Sequence, residues 1–136
     1  AVVSTFAVHL GFIVRSPQVQ LAQAATDVLR DLEPDLLTID EVAAWPGTEL
    51  KGGRRSRRFL YVLNAHSLGT VLDATDDLYK WVNPGLPEDL HFLRLDGSPV
   101  LGSVAQDLDA WVELNDNELM MWRAAGGPEL RVEAAK

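Results

Sequence analysis

From Phe6 to Val14 the large apolar side chains alternate: Phe6, Val8, Leu10, Phe12 and Val14 share one face, and Ala7, His9, Gly11 and Ile13 the other. A period of two is that of a strand, and the mostly apolar second face predicts a buried one. The period then lengthens. Leu21, Ala25, Val28, Leu29 and Leu32 recur at helical spacing, with Ser16 as a cap, Pro17 at the first helical position and Pro34 as the stop. Residues 36–45 fit two elements: Thr38 with Glu41 has the capping-box pattern of a short helix, whereas Leu36, Leu37 and Ile39 read as strand. Pro46-Gly47 turns the chain either way.

The run RRFLYVLN places Phe59, Tyr61 and Leu63 on one face and Leu60 and Val62 on the other, which predicts a central strand buried on both sides. A second helix is expected over residues 66–82, capped by Ser67 and stopped at Asn83-Pro84. Its buried stripe is Leu68, Val71, Leu72, Thr75, Leu78 and Val82, with Asp73, Asp76 and Asp77 on the solvated face. Two apolar runs around Asp96-Gly97 form a hairpin, and Pro99 draws the start of its second strand toward a sheet edge. Residues 107–114 alternate completely: Leu108, Ala110, Val112 and Leu114 point inward, Asp107, Asp109, Trp111 and Glu113 outward. A short helix comes next, capped by Asn115 or Asp116 and stopped at Gly126. The last residues end as a strand turn or a tail.

This order predicts an α+β fold: a single domain over residues 1–136, with a mixed or antiparallel sheet of about five strands, two main helices and a short C-terminal helix. With 47% hydrophobic and 24% charged residues, the chain can bury a core and is not of the disordered class. The apolar opening lacks a basic leader and a cleavage signal, and Arg15 ends it too early to span a membrane. The chain has no cysteine, which excludes disulfides and thiolate chemistry and agrees with a reducing, cytoplasmic setting.

The net charge of −8 speaks against general nucleic-acid binding and favours basic partners. The charge is unevenly laid out. Residues 73–118 hold eleven acids against two bases, Lys80 and Arg94. Lys51, Arg54, Arg55, Arg57 and Arg58 are five of the twelve basic residues and lie in one short stretch. That stretch reads as a solvated loop pairing with the protein's own acids, and as a secondary contact after that. His9, His66 and His91 lack metal-ligand spacing, Ser67 lacks the Gly-x-Ser-x-Gly setting, and the glycines near Lys51 lack the phosphate-loop pattern. No catalytic residue, metal ligand or cofactor is therefore assigned. The partner-binding candidates are Asp107, Asp109, Trp111 and Glu113, with Asp76 and Asp77 widening the field.

The stretches WPGTEL and LPEDLHFLRLDG resemble small bacterial single-domain proteins and, more distantly, SMI1/KNR4-type (SUKH) immunity proteins. That resemblance implies an α+β domain that binds and blocks a toxin. The expected function is a non-enzymatic protein-binding module, an immunity-type inhibitor occluding a basic toxin through the acidic face. Two alternatives stand beside it. One is a small-molecule-binding or hydrolytic domain with His66, His91, Tyr61 and Trp81 around a pocket; a pocket above about 300 Å³ gathering two histidines and a carboxylate would favour it. The other is a homo-oligomer subunit joined through basic loop and acidic face.

Overall fold

In the computed structural model, which describes residues 2–15 and 20–130, the strands are β1 (His9–Val14), β2 (Leu36–Val42), β3 (Ala44–Trp45), β4 (Thr48–Glu49), β5 (Ser56–Val62), β6 (Glu88–Leu93), β7 (Pro99–Val104) and β8 (Asp109–Val112). The helices are α1 (Gln23–Leu32), α2 (Ala65–Ala74) and α3 (Asp116–Ala124). Six strands form one antiparallel sheet in the order β2-β5-β1-β6-β7-β8, and β3 and β4 make a separate small hairpin. The fold is α+β, with one strand more than the pattern suggested.

Register explains the core. Leu10, Phe12 and Val14 of β1 stand opposite Tyr61, Phe59 and Arg57 of β5, and Leu10 also faces Phe92 of β6. This face meets the apolar stripe of α1, where Ala25, Val28 and Leu32 are buried as their spacing predicts. Phe12 lies at its centre, 5.2 Å from the Tyr61 ring and 6.0 Å from that of Trp81. The other face carries Gly11, Ile13, His91 and Leu93, all buried. There the β3–β4 hairpin supplies cover: Gly47, at φ +81°, sits against Trp111 and Val104.

Several elements depart from the periodic reading. β1 starts only at His9, because residues 2–5 form a 3-10 turn in which the Ala7 N–H bonds the Val3 carbonyl. Residues 36–42 are strand, with Asp40 and Glu41 opposite Arg58 and Arg57. β5 is half-buried and ends on exposed Val62, since only the edge strand β2 lies beyond it. Pro99 does start its strand, but β7 is interior, and a bulge at Phe92/Leu93 absorbs the missing donor. α2 is capped by the Asn64 side chain, with Ser67 completing the capping box.

The second helix also stops at Ala74, well short of Val82. Thr75 is extended, its hydroxyl accepts the Asp77 N–H, and the Asp77 carboxylate accepts the Tyr79 N–H to open a 3-10 turn at Leu78–Lys80. Short polar side chains that bond nearby backbone offer the chain an alternative to helix. Asp76 and Asp77 therefore lie beyond the helix rather than on its face. α1 begins at Gln23 with Ala22 at its cap position rather than at Pro17, and Ser16 and Pro17 fall outside the described residues. Of the last stretch, residues 128–130 form no strand and 131–136 fall outside the described residues.

Candidate protein-docking site

Asp89 sits in β6, 2% exposed, with an unusual φ of 56°. One of its oxygens accepts the Trp45 indole N–H at 2.9 Å and the other accepts the Ala105 backbone N–H at 3.0 Å. Burial holds this carboxyl above the usual carboxylate range, and the two donated hydrogen bonds oppose that shift. Asp89 thus ties the β3–β4 hairpin and the Ala105–Asp107 turn to the sheet.

That turn turns the next side chain outward. The Leu108 N–H closes it on the Ala105 carbonyl, and Leu108 takes the left-handed conformation at φ 52°, ψ 41°. The side chain that alternation assigned to the core is instead 69% exposed. A left-handed leucine is rare and costs about 1–2 kcal/mol. Here it holds an apolar knob between two carboxylates, Asp107 and Asp109, both exposed. Neither makes a hydrogen bond or ion pair with any described residue.

The strand begins only at Asp109, so Asp107 belongs to the turn rather than to the strand face. Asp109, Trp111 and Glu113 do keep to the alternation, but Trp111 is not a free anchor. Its ring lies flat on Gly102 of β7, where a Cβ would approach Cζ2 to 2.5 Å, and it meets Gly47 on the hairpin. Its indole N–H donates to Glu113 at 3.0 Å. Beyond β8 the sheet has no further strand among the described residues, so its outer backbone groups form an open edge. The Leu78–Lys80 turn, preceded by Asp77, packs beside the Ala105–Asp107 turn. Asp76 turns instead to the helix-side face.

Lys80 sits on the neighbouring Leu78–Lys80 turn, and the basic stretch of residues 51–58 lies elsewhere. Lys51 is 3.9 Å from Glu49, Arg54 Nε donates to the Lys51 carbonyl, and Arg55 reaches the Glu41 carbonyl only at 3.5 Å. Arg57 and Arg58 rise on β5, and their Nε atoms are buried without a hydrogen-bond partner among the described residues. Three strands lie between β5 and β8. At about 4.8 Å per strand that separation is about 19 Å, beyond a Debye length of about 8–10 Å in physiological salt. Arg57 and Arg58 are thereby screened from the β8 edge.

The histidines do not converge. His66 Nδ1 is 2.7 Å from an Asp35 oxygen, and Asn64 donates to the other. These bonds hold the Asp35 carboxyl below its usual range. His91 is wholly buried on the face away from Tyr61 and Trp81, with Nδ1 on the Asp89 carbonyl and Nε2 unpartnered among the described residues. A cavity of about 440 Å³ opens on the helix side of the sheet, and no described histidine lines it. Among the described residues no cluster of three or more His, Asp or Glu is arranged to hold a metal ion, and no helix is long and apolar enough to cross a membrane.

Leu108 and Asp89 were hidden from pattern reading. Leu108 belongs to the turn, and the alternation begins at Asp109, two residues later than the sequence suggests. Adjacent Glu88 and Asp89 in an otherwise apolar strand were the available signal, since two neighbours point to opposite faces and neither face of an interior strand is wet. No protein-family model, curated protein or solved structure matches this chain.

Proposed function

We propose that this chain is a non-catalytic protein-binding module that docks a basic partner on the acidic tip formed by Asp107, Leu108 and Asp109, beside the open edge of β8. The observation that carries this reading is the exposed left-handed leucine between two unpaired carboxylates. Strained backbone at a surface is retained where the surrounding structure over-determines it, and it concentrates at functional sites. The carboxylates steer a cationic surface in, and the leucine supplies the apolar contact that charge alone does not. Asp77 and Glu113 widen the field, and Trp111 braces the edge from behind. The resemblance to immunity proteins supplies the form of the partner: a basic toxin, blocked by occlusion.

The test is a paired substitution, Leu108→Asn with Asp109→Asn. Asparagine tolerates the left-handed region, so unfolding stability should stay within about 0.5 kcal/mol of the parent, surface changes being small. A basic protein captured by the parent at low salt should be lost by the variant and weakened for the parent at high salt. Equal capture by parent and variant would refute the assigned tip.

A further inference from the structure

The sheet is wider than its helical cover. Six strands at about 4.8 Å set the outer strands about 24 Å apart. Two helices of about 10 Å, α1 and α2 side by side, cover about 20 Å, and Trp122 of α3 packs into the same core. Between α2 and the segment after α3, over β6 and β7, a cavity of about 440 Å³ opens. Its walls include Leu68 and Val71 of α2, Trp81, Leu90 and Phe92 of β6, and Leu101 of β7. That volume lies in the lower part of the range in which proteins hold small organic ligands.

The polar lining is sparse and has one sign. Among the described residues Thr75 and Asp76 are the only polar side chains on the wall, and Asp76 is the only charged one. Both stand where α2 breaks off, so the same polar turn that ends the helix sets a carboxylate at the opening. Asp76 makes no ion pair or hydrogen bond with any described residue, and Asp73 and Asp77 flank it in the chain. No described cationic side chain lines the cavity. Apolar walls with an unpaired carboxylate at the exposed rim select an apolar body carrying a positive head group.

We infer that this cavity is a binding site for a small amphiphilic ammonium compound, its hydrocarbon part against Trp81 and Phe92 and its ammonium on Asp76. This site is separate from the tip at Leu108, which lies on the turn beyond β7.

The probe pair is octylammonium and octanol, titrated into the full chain and followed by amide chemical shifts. Octylammonium should bind saturably, with shifts concentrated in α2, the Leu78–Lys80 turn, β6 and β7. Octanol should bind several-fold more weakly. Asp76→Asn should reduce octylammonium affinity about fivefold and leave octanol unchanged. Leu72→Trp, at an exposed lining position, should block both. Absence of saturable binding by octylammonium would overturn the site, as would shifts that map outside the cavity. Equal affinity for both probes, unchanged by Asp76→Asn, would overturn the cationic head group.

Discussion

Acidifying the protein from pH 6.5 to pH 4 should cost it about 3 kcal/mol of stability, most of it through His91. This imidazole is wholly buried against Gly11, where a Cβ would come within 2.6 Å of Nε2. Nδ1 donates to the Asp89 carbonyl at 2.8 Å, and Nε2 has no partner among the described residues to receive a second proton's charge. Desolvation, with Arg58 nearby adding like charge, pushes the pKa down from 6.5 to about 4. Between those values the unfolded chain binds a proton that the folded one refuses, so stability falls as pH falls. At 1.36 kcal/mol per pH unit, a depression of that size is worth about 3 kcal/mol, present in full above pH 6.5 and lost toward pH 4.

Other groups act in different windows or with the opposite sign. Asp35 and Glu118, both lowered mainly by their side-chain partners, lose their contribution only below their ordinary values. Asp89 is raised by burial, so the folded state takes up that proton first and gains stability on acidification. Urea unfolding across this pH range, at constant m-value, measures the sum. His91→Asn keeps a donor near the Nδ1 position and removes the titration. It should start from lower stability at pH 7 and lose the fall in stability between pH 6.5 and pH 4, leaving only the gain from Asp89. A parent profile that is flat in that interval, or a fall toward acid that survives in His91→Asn, would refute the account.

Gly102→Ala should destabilise the fold by about 2 kcal/mol, since the new Cβ enters the Trp111 ring and close-packed sites resist added volume. Thermal unfolding of the double variant with Trp111→Val should show less than the summed loss, the sign of direct coupling. Glu88→Ala should cost about 2–3 kcal/mol by chemical denaturation, below the usual figure for a broken buried pair because Arg15 reaches solvent. Arg15 now donates to Glu88 at 2.7 Å and lies 5.3 Å over the Trp45 ring. Glu88→Gln keeps an acceptor and should lose less.

Local pattern carried most of the elements. The alternation in β1 and β5, the stripe of α1, the Asp96-Gly97 hairpin and the cap of α3 at Asn115 are each set by neighbours within a few positions, and each is legible there. The charge division was equally plain, because composition along the chain needs no fold. Where periodicity misled, short polar side chains had rewritten it. Thr75 and Asp77 ended a helix whose apolar spacing continued, and the turn at Ala105 took Asp107 and Leu108 out of an alternation that holds from Asp109.

The exposed tip at Leu108 belongs to tertiary structure. Leu108 faces solvent because Ala105 is bound by Asp89, 16 positions earlier, and Asp89 is itself held by Trp45, 44 positions before that. No local rule predicts which carboxylate will find which donor, since a buried acid is satisfied by whatever the packed chain brings within reach. The cavity has the same origin: each helix and strand is readable alone, but the gap exists only where α2, the segment after α3 and the sheet are packed together. Sequence period determined the elements and their inward faces, because those depend on backbone geometry one or two turns long. The fold decided which face is roofed, which acid is buried and which leucine is left outside, because those depend on contacts between distant residues.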